Sequence, residues 1–181
     1  MTAKLDGGDN ARIESAPLES TDTYGTATYK LPALALDAAR ALLSDFSRDN
    51  RFSFTPKAES RAGYQNAPTP KDVLIDWAAQ SAEEIAAIAR AANPMFMGAL
   101  FSLRNAPAYL PQATPILDRQ GDETPGTVIE CSPDTGIVVR CAEKSALRLD
   151  IVSTDQGVFS GPRAIDVFGV NQAEFLQIQP L

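Results

Sequence analysis

The sequence predicts an α+β protein, with helices in its first half and a small strand-rich module in its second. Three observations predict this. Alanine- and leucine-rich segments at helical spacing occupy residues 32–46 and 81–92. From residue 97 onward, short runs of β-branched and apolar residues recur between Pro, Gly, Asn and Asp turn signals. The composition is that of a globular chain, 44% hydrophobic and 22% charged, with mean hydropathy −0.14.

Residues 1–20 read as a short strand region, in which ARIESAPL alternates weakly and stops at Pro17. STDTYGTATYKL then starts a helix, with Thr21 or Asp22 able to cap its positive end. Pro32 punctuates and opens a second helix, PALALDAARALLSDF. Its Leu34, Ala38, Ala41 and Leu42 form a core-facing stripe. Residues 47–70 have no helical period and read as a linker, in which Phe52 and Phe54 form a short strand or an anchor. Ser81 with Glu84 three residues on is a capping box, and Asn93-Pro94 ends the helix it starts. Trp77, the sole tryptophan, stands just ahead of that helix as a core anchor.

Five strand-like runs follow: MGALFSL, AYLPQATPIL, GTVIEC, GIVVRC and ALRLDIV. TVIECSPDTGIVVRC is a hairpin closed at Gly136. Five short strands with turns predict a small barrel or sandwich. GPRAIDVFGVNQAEFL has helix-like or turn character.

Charge and residue inventory exclude several function classes. The net charge is −7. Residues 91–181 hold six Lys and Arg against ten Asp and Glu, a balance of −4. Nucleic-acid affinity rests on cations that neutralise phosphates, so this balance argues against a nucleic-acid partner. The chain has no histidine, which removes the usual general base, metal ligand and triad partner. Cys131 and Cys141 are too few for a disulfide scaffold or a structural zinc site. No apolar run has the length of a membrane span and no signal segment opens the chain, so the cytoplasm is the expected compartment and no membrane partner is expected.

IDWAAQSAEEIAAIARAANPMFMGA resembles the junction segment of folate-dependent formyltransferases, an Ile-Asp-Trp leading a helix that ends in Arg-Ala-x-Asn-Pro. Ile75, Asp76, Trp77, Arg90, Ala91, Asn93, Pro94, Gly98 and Ala99 match it. PGTVIECSPDTGIVVRC is similar to the family's Pro-Gly-Thr-Val hairpin. GPRAIDVF is similar to its closing Gly-Lys-x-Met segment, with Arg163 at a basic position and Ile165 in place of the Met. KLDGGDN resembles the Leu-Asp-x-Gly-Asp turn near the end of the family's catalytic domain, with Leu5, Asp6, Gly8 and Asp9 falling on it.

The resemblance implies a fold in two parts, a short α/β remnant of the catalytic domain followed by an OB-like open β-barrel. It implies domains at 1–46 (catalytic-domain remnant), 47–70 (linker), 71–96 (junction helix) and 97–181 (C-terminal barrel domain). Of the family's three catalytic residues, an Asn and a His in Asn-x-His and the Asp of the turn, only Asp6 is carried over. The further candidates, for substrate contact or structure, are Asp9, Asp76, Trp77 and Asn93. The implied activity is one-carbon transfer from N10-formyltetrahydrofolate to an amine, and the chain alone is expected neither to transfer the formyl group nor to bind the cofactor. A separate Rossmann-like subunit is implied to complete the site in trans, or the chain self-associates through residues 1–46. The alternatives are a non-catalytic OB-like binding module for a protein or small molecule, and a truncated remnant.

Overall fold

The computed structural model describes residues 8–56 and 66–176. These fall into two compact units. One comprises residues up to 20 together with 26–67, and the other comprises 21–25 together with 68–181.

Helix α1, Tyr24–Asp49, runs through Pro32 without a break. The two helices expected on either side of the proline are one. An internal proline forfeits a single i→i−4 bond, and strong helix formers (Ala33, Leu34, Ala35 and Leu36 among them) follow it directly. The stripe of Leu34, Ala38, Ala41 and Leu42 is half-buried, and no residue of α1 is fully buried. The strand expected in ARIESAPL is absent; the bridge described in residues 8–20 is at Asn10, just ahead of it, which pairs with Thr55 through hydrogen bonds of 2.9 and 2.8 Å. A strand needs a continuous neighbour, and the chain offers this segment only one paired position. Phe52 serves as an anchor: its ring stacks on Phe46 at 4.9 Å.

The larger unit is an α+β domain built on a six-stranded antiparallel sheet. Its strands are β1 (Ala99–Leu103), β2 (Ala106–Ile116), β3 (Val128–Ser132), β4 (Gly136–Arg140), β5 (Ala146–Thr154) and β6 (Gly157–Ser160). The order is β1-β2-β5-β4-β3, with β6 also paired to β5. Helix α2, Ala82–Ala92, packs on β2 and β1, and α3, Gly161–Phe168, packs on β4 and β5. All five expected strand runs are present; β6 is the addition.

β2 carries Pro107, Pro111 and Pro115, which cannot donate to a ladder. Its register explains why they are tolerated. The first half pairs mainly with β1 and the second half with β5, with a register shift between Tyr109 and Gln112. Along most of its length one edge of β2 is therefore open, and Pro111 lies in the irregular stretch. The β1–β2 turn places Arg104 and Asn105 at φ 51° and 65°, the geometry of a two-residue hairpin loop.

The sheet sorts its residues by face. The register aligns Ala113, Leu149, Ile137 and Cys131 across β2, β5, β4 and β3, and this row faces the core. The adjacent row, Thr114, Arg148, Val138 and Glu130, lies on the opposite face. α2 closes the core with Ile85, Ala86 and Ala89, and its start is fixed by the capping box. Glu84 N–H donates to Ser81 Oγ at 3.3 Å, and Ser81 N–H donates to Glu84 Oε2 at 2.8 Å. α3 begins at Ser160 and ends on Gly169 at φ 61°, a left-handed cap.

Candidate functional site

The sequence-derived site residues take up separate structural tasks. Asp6 lies outside the described residues. Asp9 is exposed in the smaller unit. Asp76 organises a turn: its Oδ1 accepts from Ala78 N–H at 3.0 Å and Ala79 N–H at 3.2 Å, while its own N–H donates to Gln80 Oε1 at 2.9 Å. Trp77 is buried at 2% exposure and meets Phe101 edge-to-face at 6.0 Å, while its Nε1 has no hydrogen-bond partner. Asn93 locks the end of α2 to the irregular stretch of β2, its Nδ2 donating to the Pro111 carbonyl at 3.2 Å. Its backbone carbonyl accepts from Gly25 N–H at 3.0 Å. Asp76, Trp77 and Asn93 therefore hold the junction helix and the sheet in register.

The charged groups of the larger unit form an ordered system that sequence reasoning missed. Each of the six cations in residues 91–181 is in an ion pair: Arg104 with Glu174, Arg119 with Glu130, Arg140 with Glu123, Lys144 with Asp122, Arg148 with Asp150, and Arg163 with Asp166. Four carboxylates of this segment, Asp118, Asp134, Glu143 and Asp155, are in no ion pair among the described residues and account for the balance of −4. All four are exposed, in turns or a 3-10 turn.

Three pairs are built into larger networks. On the outer sheet face Thr114 Oγ1 donates to Asp150 Oδ2 at 2.6 Å, and Arg148 Nε donates to Asp150 Oδ1 at 2.6 Å. Glu130, in the same cross-strand row, receives Arg119 and the Thr135 hydroxyl. Arg140 is the buried hub, at 2% exposure. Its guanidinium donates to Glu123 Oε2 at 3.0 and 2.7 Å and to the carbonyls of Arg119, Lys144 and Ser145 at 2.6, 2.9 and 3.4 Å. Glu123 is held below the usual carboxylate range, first by its own backbone N–H and then by Arg140. Lys144 does the same to Asp122. The alternation in ALRLDIV was the available signal for Arg148 and Asp150. Arg140, at the end of the apolar run GIVV, left none.

Burial, opposed by Arg140 and helped by Glu83, pushes the Cys141 thiol up to about 12, and burial followed by Glu174 raises Cys131, which is half-buried with its Sγ 3.2 Å from the Val170 carbonyl. Neither is a nucleophile at neutral pH. Among the described residues no group of three or more thiols and carboxylates is placed to hold a metal ion, and no helix is long and apolar enough to cross a membrane.

Two cavities among the described residues bear on function. In the smaller unit a cavity of about 290 Å³ is lined by Asn10, Arg12, Ile13, Leu42, Asp45 and Phe52 among others. Its one cation, Arg12, is bound to Glu14 at 2.7 Å. In the larger unit a cavity of about 390 Å³ is lined by Met97, Ala106, Pro107, Tyr109, Thr154 and Asp155.

Residues 68–159, which run from just before the 3-10 turn ahead of Trp77 into β6, match the family model of the formyl transferase C-terminal domain. The chain belongs to this family. Its relatives include methionyl-tRNA formyltransferases of Ralstonia nicotianae, 32% identical over 149 residues, and Burkholderia vietnamiensis, 34% identical over 155. Each alignment covers 82% of this chain and 44% of the relative, so the formyl transferase domain and its leading segment span under half the length of those proteins. A solved structure of HypX from Aquifex aeolicus shares the fold, with a TM-score of 0.67 at 14% identity over 97% of this chain and 33% of HypX. Another HypX structure was solved in complex with tetrahydrofolic acid.

Proposed function

We propose that this chain is the acceptor-side scaffold of an N10-formyltetrahydrofolate-dependent formyltransferase and acts only with a catalytic part that supplies an asparagine and a histidine. The observation that carries this reading is the formyl transferase C-terminal domain at residues 68–159 in a chain without histidine. Formyl transfer requires the acceptor amine to lose a proton and the tetrahedral oxyanion to be stabilised. Asp6, the single catalytic carry-over, supplies neither by itself.

The residues present also do not fit the cofactor on their own. Among the described residues the cavity of the smaller unit is lined by one cation, Arg12, which is paired with Glu14 and so is not free for the cofactor's carboxylates. Helix α1 supports a partner. Its 26 residues include none that is buried, and Tyr29, Leu31 and Leu43 are 85%, 58% and 64% exposed. Apolar surface of this kind marks an interface. The catalytic part of a formyltransferase is the occupant this reading assigns to it. In the same reading the six-stranded sheet is the OB-like open barrel of the family, and the compartment is the cytoplasm, which two free thiols suit.

The acceptor is an amine on a small carrier rather than on a transfer RNA. Every cation of residues 91–181 is paired, so binding phosphates there means breaking ion pairs first. The test is a formyl-transfer assay with N10-formyltetrahydrofolate and small amine acceptors, using the chain alone and mixed with a separately expressed formyltransferase catalytic part. Turnover only in the mixture is expected. Turnover by the chain alone, or no association between the two parts, overturns the reading. A salt-sensitive gel shift with transfer RNA overturns the acceptor assignment.

A further inference from the structure

The larger unit carries a second concave feature, which the formyltransferase reading does not use. The cavity of about 390 Å³ lies between the start of β2 and the β5–β6 turn. That volume is in the range that holds a small organic molecule. Its walls are apolar: Met97, Ala106 and Pro107, with the half-buried ring of Tyr109. Met97 is held at φ 63°, a left-handed conformation rare for a bulky side chain, and stays 51% exposed. Gly98 is pressed against the Leu110 carbonyl, where an added Cβ would lie 2.3 Å from the oxygen.

The polar groups are few and unspent. Asp155 is one of the four carboxylates in no ion pair among the described residues, and it lines this cavity. The Tyr109 hydroxyl has no hydrogen-bond partner among the described residues. Thr154 Oγ1 already accepts from Gln156 N–H at 3.2 Å. The lining contains no cation. A single negative charge beside an aromatic ring and a thioether matches one ligand class: a protonated amine on a compact apolar or aromatic body. The ammonium pairs with Asp155, and the body packs on Met97, Pro107 and Tyr109.

We propose that the cavity between the start of β2 and the β5–β6 turn is a binding site for a small organic ammonium compound, with Asp155 as its charge partner. This goes beyond formyl transfer, because binding is read directly and in the absence of any catalytic part. The probes are phenethylamine, phenylacetate and 2-phenylethanol, titrated into the full chain with ¹³C-methyl methionine. Phenethylamine is expected to shift the Met97 methyl saturably, with little effect at Met95, and to bind more tightly than either control. Asp155→Asn is expected to weaken phenethylamine about three- to fivefold, as for a partly solvated ion pair, and to leave 2-phenylethanol unchanged. Asp134→Asn, at another unpaired turn carboxylate, is expected to change nothing. Equal response to the three probes, non-saturable shifts at Met97, or equal weakening in both variants overturns the proposal. If Asp155→Asn does not fold, the comparison of the three probes on the natural chain decides.

Discussion

Replacing Arg140 by methionine tests the view that a buried guanidinium, rather than the surface pairs, fastens the loop before β3 to the end of β4. Methionine keeps most of the apolar stem and removes all the donors. Four groups then lose a partner. The Arg119 and Lys144 carbonyls, bonded at 2.6 and 2.9 Å, lose their guanidinium donors. The Ser145 carbonyl keeps the Cys141 N–H at 2.9 Å and is little affected. The Glu123 side chain is 49% exposed, so it rehydrates and contributes at most about 1 kcal/mol. Two part-buried carbonyls at about 1 kcal/mol each, with the Glu123 contribution, bring the expected loss to about 3 kcal/mol. For a domain of this size that corresponds to a drop in melting temperature of about 10 °C. Urea unfolding followed by Trp77 emission and by circular dichroism measures it, since Trp77 is the only tryptophan and is buried. A loss below about 0.5 kcal/mol, or an equal loss from Glu123→Gln, refutes the reasoning.

Gly98→Ala sets a methyl 2.3 Å from the Leu110 carbonyl oxygen at a residue with φ 114°; backbone cannot yield there, so a loss of more than about 3 kcal/mol in urea is expected. Ser81→Ala removes the cap of α2 and is expected to cost about 1 kcal/mol by the same assay. Cys141 gives a pH dependence. Its folded thiol holds its proton up to about 12, above the ordinary value of 9.0, so the native state binds more protons than the unfolded chain between those values. Stability is therefore expected to be intact below pH 9 and to fall as pH rises above it, and Cys141→Ala is expected to flatten that fall in chemical denaturation at pH 8 and pH 10.

Legibility followed the range of the physical signal. The capping box at Ser81 and the five longer strands were readable because their cause is local: a cap three residues from its acid, or alternation broken by turn residues. β6 was missed because Gly157–Ser160 is a four-residue strand running straight into α3. Its pairing with β5 is a property of the sheet. Pro32 misled for the complementary reason, since a local rule was outvoted by the propensity of the residues around it. The ion pairs were invisible because Arg104–Glu174 and Arg140–Glu123 join positions 70 and 17 residues apart. The family motifs singled out Asp76, Trp77 and Asn93 in the sequence, but the turn, ring contact and hydrogen bond they make could be read only from the structure.

The complete pairing of cations in residues 91–181 has a consequence at distances beyond contact. Each ion pair is a short dipole whose field dies away within a few ångströms, whereas the four leftover turn carboxylates act as uncancelled point charges. Seen from a Debye length away, this segment is a negatively charged object with its charge at the rim. Encounter with an anionic molecule is slowed and encounter with a cationic one is speeded, both effects fading as salt is added. The pairs themselves persist through that salt range where they are short or buried, as at Arg140. Ionic strength therefore changes which molecules reach the domain while leaving its sheet intact.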